Sequence, residues 1–253
     1  MGGESFGPRP GGTSVPRPPS TEPRGANETV RMREIGAIIW KDLILEWRAP
    51  EGLVSLGGFC LATLLAFHFA LGPHPARMRE AGSGVLWATY MLAGVAGAGR
   101  TFASEERDGC MEGLLSAPVD RGNIYLGKFL VGKLRMLVVE ALTLPPFAAL
   151  YGLPLGGGKL LQLGAVLISG TVGLVAVVTL FSGLTLRTRA REALLPVLTF
   201  PIVVPVVIGA VEASRSVFSG GWDEVERWFK LLISFDVTFV SLAWLFFGYA
   251  VEE

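Results

Sequence analysis

The sequence predicts an all-α integral membrane protein with about six transmembrane helices, preceded by an amphipathic helix lying in the membrane interface. Three observations predict it. Hydrophobic residues make up 51% of the 253-residue chain and charged residues only 17%, and the mean hydropathy is +0.50, more than a soluble domain needs to fill its core. The apolar residues fall into six blocks, each near the ~20 residues that a helix needs to cross the hydrocarbon layer. Those blocks lack the period-two alternation of barrel strands, and only helices or closed barrels satisfy every backbone group in lipid. The formal net charge is +0, so no basic field points to nucleic acid and charge has to be read locally.

Residues 1–30 are rich in Gly, Pro and Ser and too poor in apolar residues to fold or to supply the core of a secretory signal, which predicts a disordered cytoplasmic tail. Isolated Arg9, Arg17 and Arg24 add little attraction to lipid under physiological screening. Residues 31–50 form the interfacial helix. In EIGAIIWKDLILEWR the apolar Ile35, Ile38, Ile39, Leu43 and Leu45 alternate with Lys41, Asp42, Glu46 and Arg48, so this segment lies along the surface, with Trp40 and Trp47 at headgroup level. Residues 51–253 form the membrane domain, with spans at about 53–71, 85–102, 134–151, 160–180, 194–211 and 231–249 and a long loop over 103–130. With both termini cytoplasmic, Arg31, Arg33, Lys41, Arg48, Arg107, Arg121, Lys128, Lys133, Arg135, Arg187, Arg189 and Arg191 fall inside. The outer loops then hold Arg77, Arg79, Lys159, Arg215, Arg227 and Lys230, the last of these mixed with acids.

Catalytic chemistry finds nothing to attach to. Gly94-Val-Ala-Gly-Ala-Gly99-Arg100-Thr101 imitates a phosphate-binding loop, but it ends a membrane span instead of following a strand, so its small residues serve helix contact. Ala62, Ala66 and Ala70 form a similar ladder open to a helix of this chain or of a second copy. His68 and His74 are the only histidines, and Cys60 and Cys110 lie at different depths, so neither a metal site nor a disulfide is expected. Inside the membrane, Glu140 and Asp236 are the costly residues. Glu140 has either a direct role or a structural one, as partner of Arg135 or of a neighbouring hydroxyl. Pro145 and Pro146 are expected to break the third span close by, and Pro196, Pro201 and Pro205 to kink the fifth.

The loop over 103–130 mixes acids with a short apolar face. Glu105, Glu106 and Asp108 precede Gly109, then Met111, Leu114 and Leu115 follow and Pro118 stops the run. Such a helix rests on lipid or inserts into the groove of a partner. The pattern Phe102-x-x-Glu105-x-x-x-Gly109-x-x-Glu112-x-Leu114-Leu115-x-x-Pro118, closed by Lys128, resembles the coupling region of ABC-2-type permeases. It is most similar to that of the haem exporter protein B (cytochrome c maturation protein B) family. Arg187-Thr-Arg189-Ala-Arg191-Glu192-Ala-Leu194-Leu195-Pro196, with Phe200-Pro201 and Pro205, resembles the proline-rich fifth helix of the same family. The resemblance runs from about Glu34 to Val211. The Gly/Pro-rich tail and the acidic stretch 222–227 depart from it.

The resemblance implies an ABC-2 (type V exporter-like) permease fold in the cell inner membrane, acting in haem export or haem-chaperone release for cytochrome c maturation. It implies a non-catalytic homodimer bound to two copies of an ABC ATPase subunit, with a haem-handling membrane partner, a periplasmic haem chaperone and membrane lipid around it. No intrinsic cofactor is implied; haem is cargo. ATPase coupling falls to Glu105, Gly109, Glu112, Leu114, Leu115 and Pro118, where leucines fill a groove, acids set orientation and Gly109 allows a bend. His68, near the outer end of the first span, is either a haem ligand or an interfacial packing residue. Export of another cargo (drug, lipid or polysaccharide), a secondary transporter and a membrane scaffold stand as alternatives. No internal symmetry of the kind a secondary transporter carries is visible.

Overall fold

A computed structural model describes residues 24–107, 121–153, 156–185, 188, 190–220 and 222–250. These residues form seven helices: α1 (Arg24–Arg48), α2 (Glu51–Leu71), α3 (Pro75–Arg107), α4 (Arg121–Tyr151), α5 (Gly157–Leu184), α6 (Arg191–Ser219) and α7 (Trp222–Ala250). Five of them, α2, α4, α5, α6 and α7, are long and apolar enough to cross a membrane.

Of the other two, α1 is the expected amphipathic helix, and α3 contains the expected second span yet falls short of that composition. Its neighbours supply the reason. It packs against α2, α4, α5 and α6, and Leu86, Trp87, Tyr90 and Ala93 are fully buried. A helix surrounded by protein can carry Thr, Tyr, Trp and Gly without exposing them to lipid, at the expense of its own hydropathy. Gly94, part of the imitation phosphate loop, sits against Leu174 of α5, where an added Cβ would come within 3.0 Å of a methyl group. Close helix contact is its structural use.

The helices outrun the apolar blocks. Expected starts at 85, 134 and 231 become Pro75, Arg121 and Trp222, and the fifth span runs on from 211 to Ser219, because the blocks mark what lipid requires and the backbone hydrogen bonds continue past it. Arg77 and Arg79 therefore belong to α3 and not to a loop, and the loop expected over 103–130 is helical up to Arg107 and again from Arg121. The tail expected through residue 30 gives way to helix at Arg24. Two expected ends coincide with the observed ones: α2 stops at Leu71 and α4 at Tyr151, each followed by a glycine with positive φ, Gly72 (69°) and Gly152 (60°). That conformation is open to glycine at no steric cost.

The prolines do not interrupt their helices. Pro145 and Pro146 lie inside α4, and Pro196, Pro201 and Pro205 inside α6, so the expected break in the third span is not made. Proline is tolerated in membrane helices where the packing of neighbouring helices takes up the freed backbone groups, and α4 packs against α1, α2, α3, α5 and α7.

The core is centred on α5, which packs against α3, α4, α6 and α7. Glycines on it receive aromatic rings: Trp87 of α3 fits against Gly170, and Phe247 of α7 against Gly183. Single polar groups clip the helices together. Trp87 Nε1 donates to Ser214 Oγ of α6 (2.9 Å), Tyr125 Oη of α4 to the Ala176 carbonyl of α5 (3.1 Å), and Tyr151 Oη to the Leu64 carbonyl of α2 (3.1 Å).

Candidate functional site

Among the described residues, two groups built around buried charge stand out from this apolar structure. The first is inside the bundle. Glu140 of α4 and Asp236 of α7 are both buried, and both take a hydrogen bond from α5. Thr171 Oγ1 donates to Glu140 Oε1, and Ser169 Oγ donates to Asp236 Oδ2 at 2.8 Å. The donors are two residues apart on one helix, about 200° around its axis, so they face opposite neighbours. Glu140 Oε2 has no hydrogen-bond partner among the described residues. Around it stand Tyr90, whose hydroxyl lies 3.0 Å from Thr143 Oγ1, and the buried thiol of Cys60. Asp236 lies against Gly173, where any Cβ would come within 2.7 Å of Oδ1.

Of the partners weighed for Glu140, the hydroxyl is the one found. Arg135 instead faces Glu46 of α1, Nε to Oε2 at 3.7 Å. Interhelical hydrogen bonds in membrane proteins contribute on average ~0.6 and at most ~1.7 kcal/mol. Thr171→Val is therefore expected to lower unfolding free energy by about 1 kcal/mol, read as a downward shift of the denaturation midpoint in detergent. A shift no larger than that of an exposed control such as Thr238→Val would show the bond to be energetically idle.

The second group ties α1 to α4. Lys128 Nζ donates to Asp42 Oδ2 at 2.8 Å, with the lysine only 2% exposed. One turn further along α1 and two turns further along α4, Arg135 pairs with Glu46. Ile38 packs onto Gly127, where an added Cβ would lie 2.8 Å from Cγ2. The expected amphipathic helix thus turns its acids and Ile38 toward α4 and leaves Trp40 and Trp47 exposed. Lys128, taken from the sequence as the residue closing the loop, is half of a buried ion pair.

The remaining expected site residues are distributed differently. Glu105 lies in the last turns of α3; Gly109, Glu112, Leu114, Leu115 and Pro118 lie outside the described residues, in the segment that joins α3 to α4. His68 is half-buried on α2 with its ring edge-on to Phe69 and Tyr151, both at 5.8 Å between centroids. Ala62, Ala66 and Ala70 are all exposed, so α2 does not use that ladder against the other described helices. The sequence reading missed Ser169, Thr171 and Asp42. A signal for the last was present: two acids four residues apart on an amphipathic helix, facing basic residues on a later one.

The chain matches the family described as CcmB protein over residues 33–253. It is 30% identical over 179 residues to heme exporter protein B of Rhodobacter capsulatus, an alignment covering 71% of this chain and 81% of that protein. The same figures hold for heme exporter protein B of Paracoccus denitrificans. Heme exporter protein B of Pseudomonas aeruginosa is 27% identical over 180 residues, covering 70% of this chain and 80% of that protein. The family match reaches the C-terminus, past Val211 where the motif resemblance becomes indistinct, and so takes in α7 and the acidic residues at its start.

Proposed function

From the premise that this chain belongs to the CcmB protein family, we propose that it is the membrane permease subunit of a haem export system serving cytochrome c maturation, driven by a separate ATPase. It is a multi-pass membrane protein. In the proposed arrangement α3 is the sixth span, the fold is that of an ABC-2 permease in the cell inner membrane, and both termini are cytoplasmic. Two copies pair and bind two ATPase subunits; a haem-handling membrane protein and a periplasmic haem chaperone complete the system. Haem is cargo, and catalysis belongs to the ATPase. The exposed ladder Ala62, Ala66 and Ala70 supports pairing of copies, since small residues let helices approach closely.

One observation carries the coupling part of this reading. α3 and α4, which flank the segment holding Gly109 to Pro118, have 33 and 31 residues. At 1.5 Å per residue they are about 45–50 Å long, against about 30 Å of hydrocarbon. The charged end of α4, with Arg121, Lys128, Lys133 and Arg135, adjoins that segment. A push there has two stiff levers to act on, one of them held to α1 by buried charge.

The test is co-purification with the ATPase. The intact chain is expected to retain it, and Glu105→Ala combined with Leu114→Asp to bind it about 30-fold more weakly, as when a hot-spot side chain worth ~2 kcal/mol is lost. The same variant is expected to fail to restore holocytochrome c in a strain lacking the permease. Undiminished ATPase retention by the variant would refute the assignment of these residues.

A further inference from the structure

We propose that the groove between α1, the start of α2 and α4 binds one membrane phospholipid with a zwitterionic, amine-bearing head of the phosphatidylethanolamine type. The groove has a volume of about 610 Å³, and its walls include Leu43, Trp47, Leu53, Leu134 and Val138. It also contains one acid and one base, Glu46 and Arg135.

Its depth suits a headgroup. It lies where α1 ends and the chain turns at Pro50 into α2, and Trp47 is 89% exposed beside it, as tryptophans of the interfacial belt are. From Arg135 an apolar track leads away along α4. Leu134, Val138 and Leu142 are all exposed, and their four-residue spacing places them one above the other on one face, over about 12 Å. An acyl chain lying on this track brings its head to the charged pair.

The pair selects the head. Arg135 Nε and Glu46 Oε2 stand 3.7 Å apart, at 13% and 26% exposure, so both signs of charge are offered side by side within an apolar wall. The guanidinium fork matches a phosphate, which accepts two parallel hydrogen bonds. The carboxylate matches a primary ammonium, which donates. A purely anionic head would set its charge against Glu46, and a choline head has no N–H to give. Charge complementarity therefore favours the amine-bearing zwitterion over both.

The experiment uses the full chain in nanodiscs of phosphatidylethanolamine, phosphatidylglycerol and phosphatidylcholine in equal parts, extracted into mild detergent and weighed by native mass spectrometry. One retained phosphatidylethanolamine per chain is expected, about tenfold preferred over the other two heads, the ratio that ~1.4 kcal/mol from a charge-assisted hydrogen bond gives. Glu46→Gln is expected to erase the preference for the amine, and Arg135→Gln to reduce retention of all three. Leu134→Trp fills the groove without touching either charge, and should expel the lipid while leaving the helical circular-dichroism spectrum unchanged, with the melting temperature lowered only by the stabilisation the lipid gave. Equal retention of the three heads, or an unaltered lipid adduct in Leu134→Trp, overturns the proposal. So does disulfide crosslinking between two copies through Leu134→Cys, which would make the groove a contact between chains.

Discussion

Replacing Lys128 with Ala is expected to destabilise the protein by about 3 kcal/mol and to free α1 from α4. Removing one member of a buried ion pair leaves the other charge without compensation, a loss of ~3–5 kcal/mol. The lower end applies because Lys41 Nζ lies 3.2 Å from the other oxygen of Asp42 and still shields it. The double variant Lys128→Met with Asp42→Asn is expected to recover most of the loss, since replacing both partners of a buried pair is often neutral. Cysteine labelling reports the release of α1 directly: Ile38→Cys, buried against Gly127, should react with a maleimide only after Lys128 is replaced. Equal labelling with and without Lys128 would mean that apolar packing alone holds α1, and the ion pair would lose its role as a clamp.

The second large effect is at Gly170. A Cβ there would overlap the six-membered ring of Trp87, lying 2.8 Å from Cζ3. The indole has little freedom to withdraw, because Nε1 is bonded to Ser214 of α6. Gly170→Ala is therefore expected to cost about 3 kcal/mol, the upper part of the range for overpacking, and Gly170→Leu to prevent accumulation in the membrane. Adding Trp87→Phe should relieve much of the alanine variant's loss by removing the overlapping ring. Gly164, on the same helix, has nothing within 4 Å of its would-be Cβ. Gly164→Ala should leave stability unchanged or raise it by up to ~1 kcal/mol through helix propensity. Equal effects at the two glycines would show that helix propensity, and not the seat of Trp87, governs them.

What could be read from the sequence divides along physical lines. Apolar run length is a property of lipid contact, so the spans that face lipid were legible; Leu71 and Tyr151 were placed as helix ends because polar or glycine-containing turns follow them at once. Run length says little about a helix enclosed by others, which is why α3 lacks the expected composition, or about helix that continues outside the hydrocarbon, as in the first turns of α4. The acids were legible as costly groups, since Glu140 and Asp236 stand within apolar blocks. Their partners were not. Ser169 and Thr171 are ordinary residues for a membrane helix, and only their placement on a shared helix between two acids gives them a role. The family resemblance rested on Phe102 to Pro118 with Lys128 and on Arg187 to Pro205, and the match over residues 33–253 agrees with it. Pro145 and Pro146 misled because a proline's effect depends on what surrounds the carbonyls it releases.

The placement of Ser169 and Thr171 limits how this bundle can move. Their hydroxyls point to opposite sides of α5, each toward an acid on a different helix. Turning α5 about its own axis would shear both bonds at once, and Trp87 and Phe247 seated on its glycines would obstruct the turn. The helix is thereby keyed like a shaft with slots cut on two sides, and it forms the stator of the bundle. α2 packs chiefly against α3 and α4, and α1 against α4, so neither is held directly by these two keys. Rearrangement of the bundle is therefore least obstructed at its periphery and most obstructed at its axis.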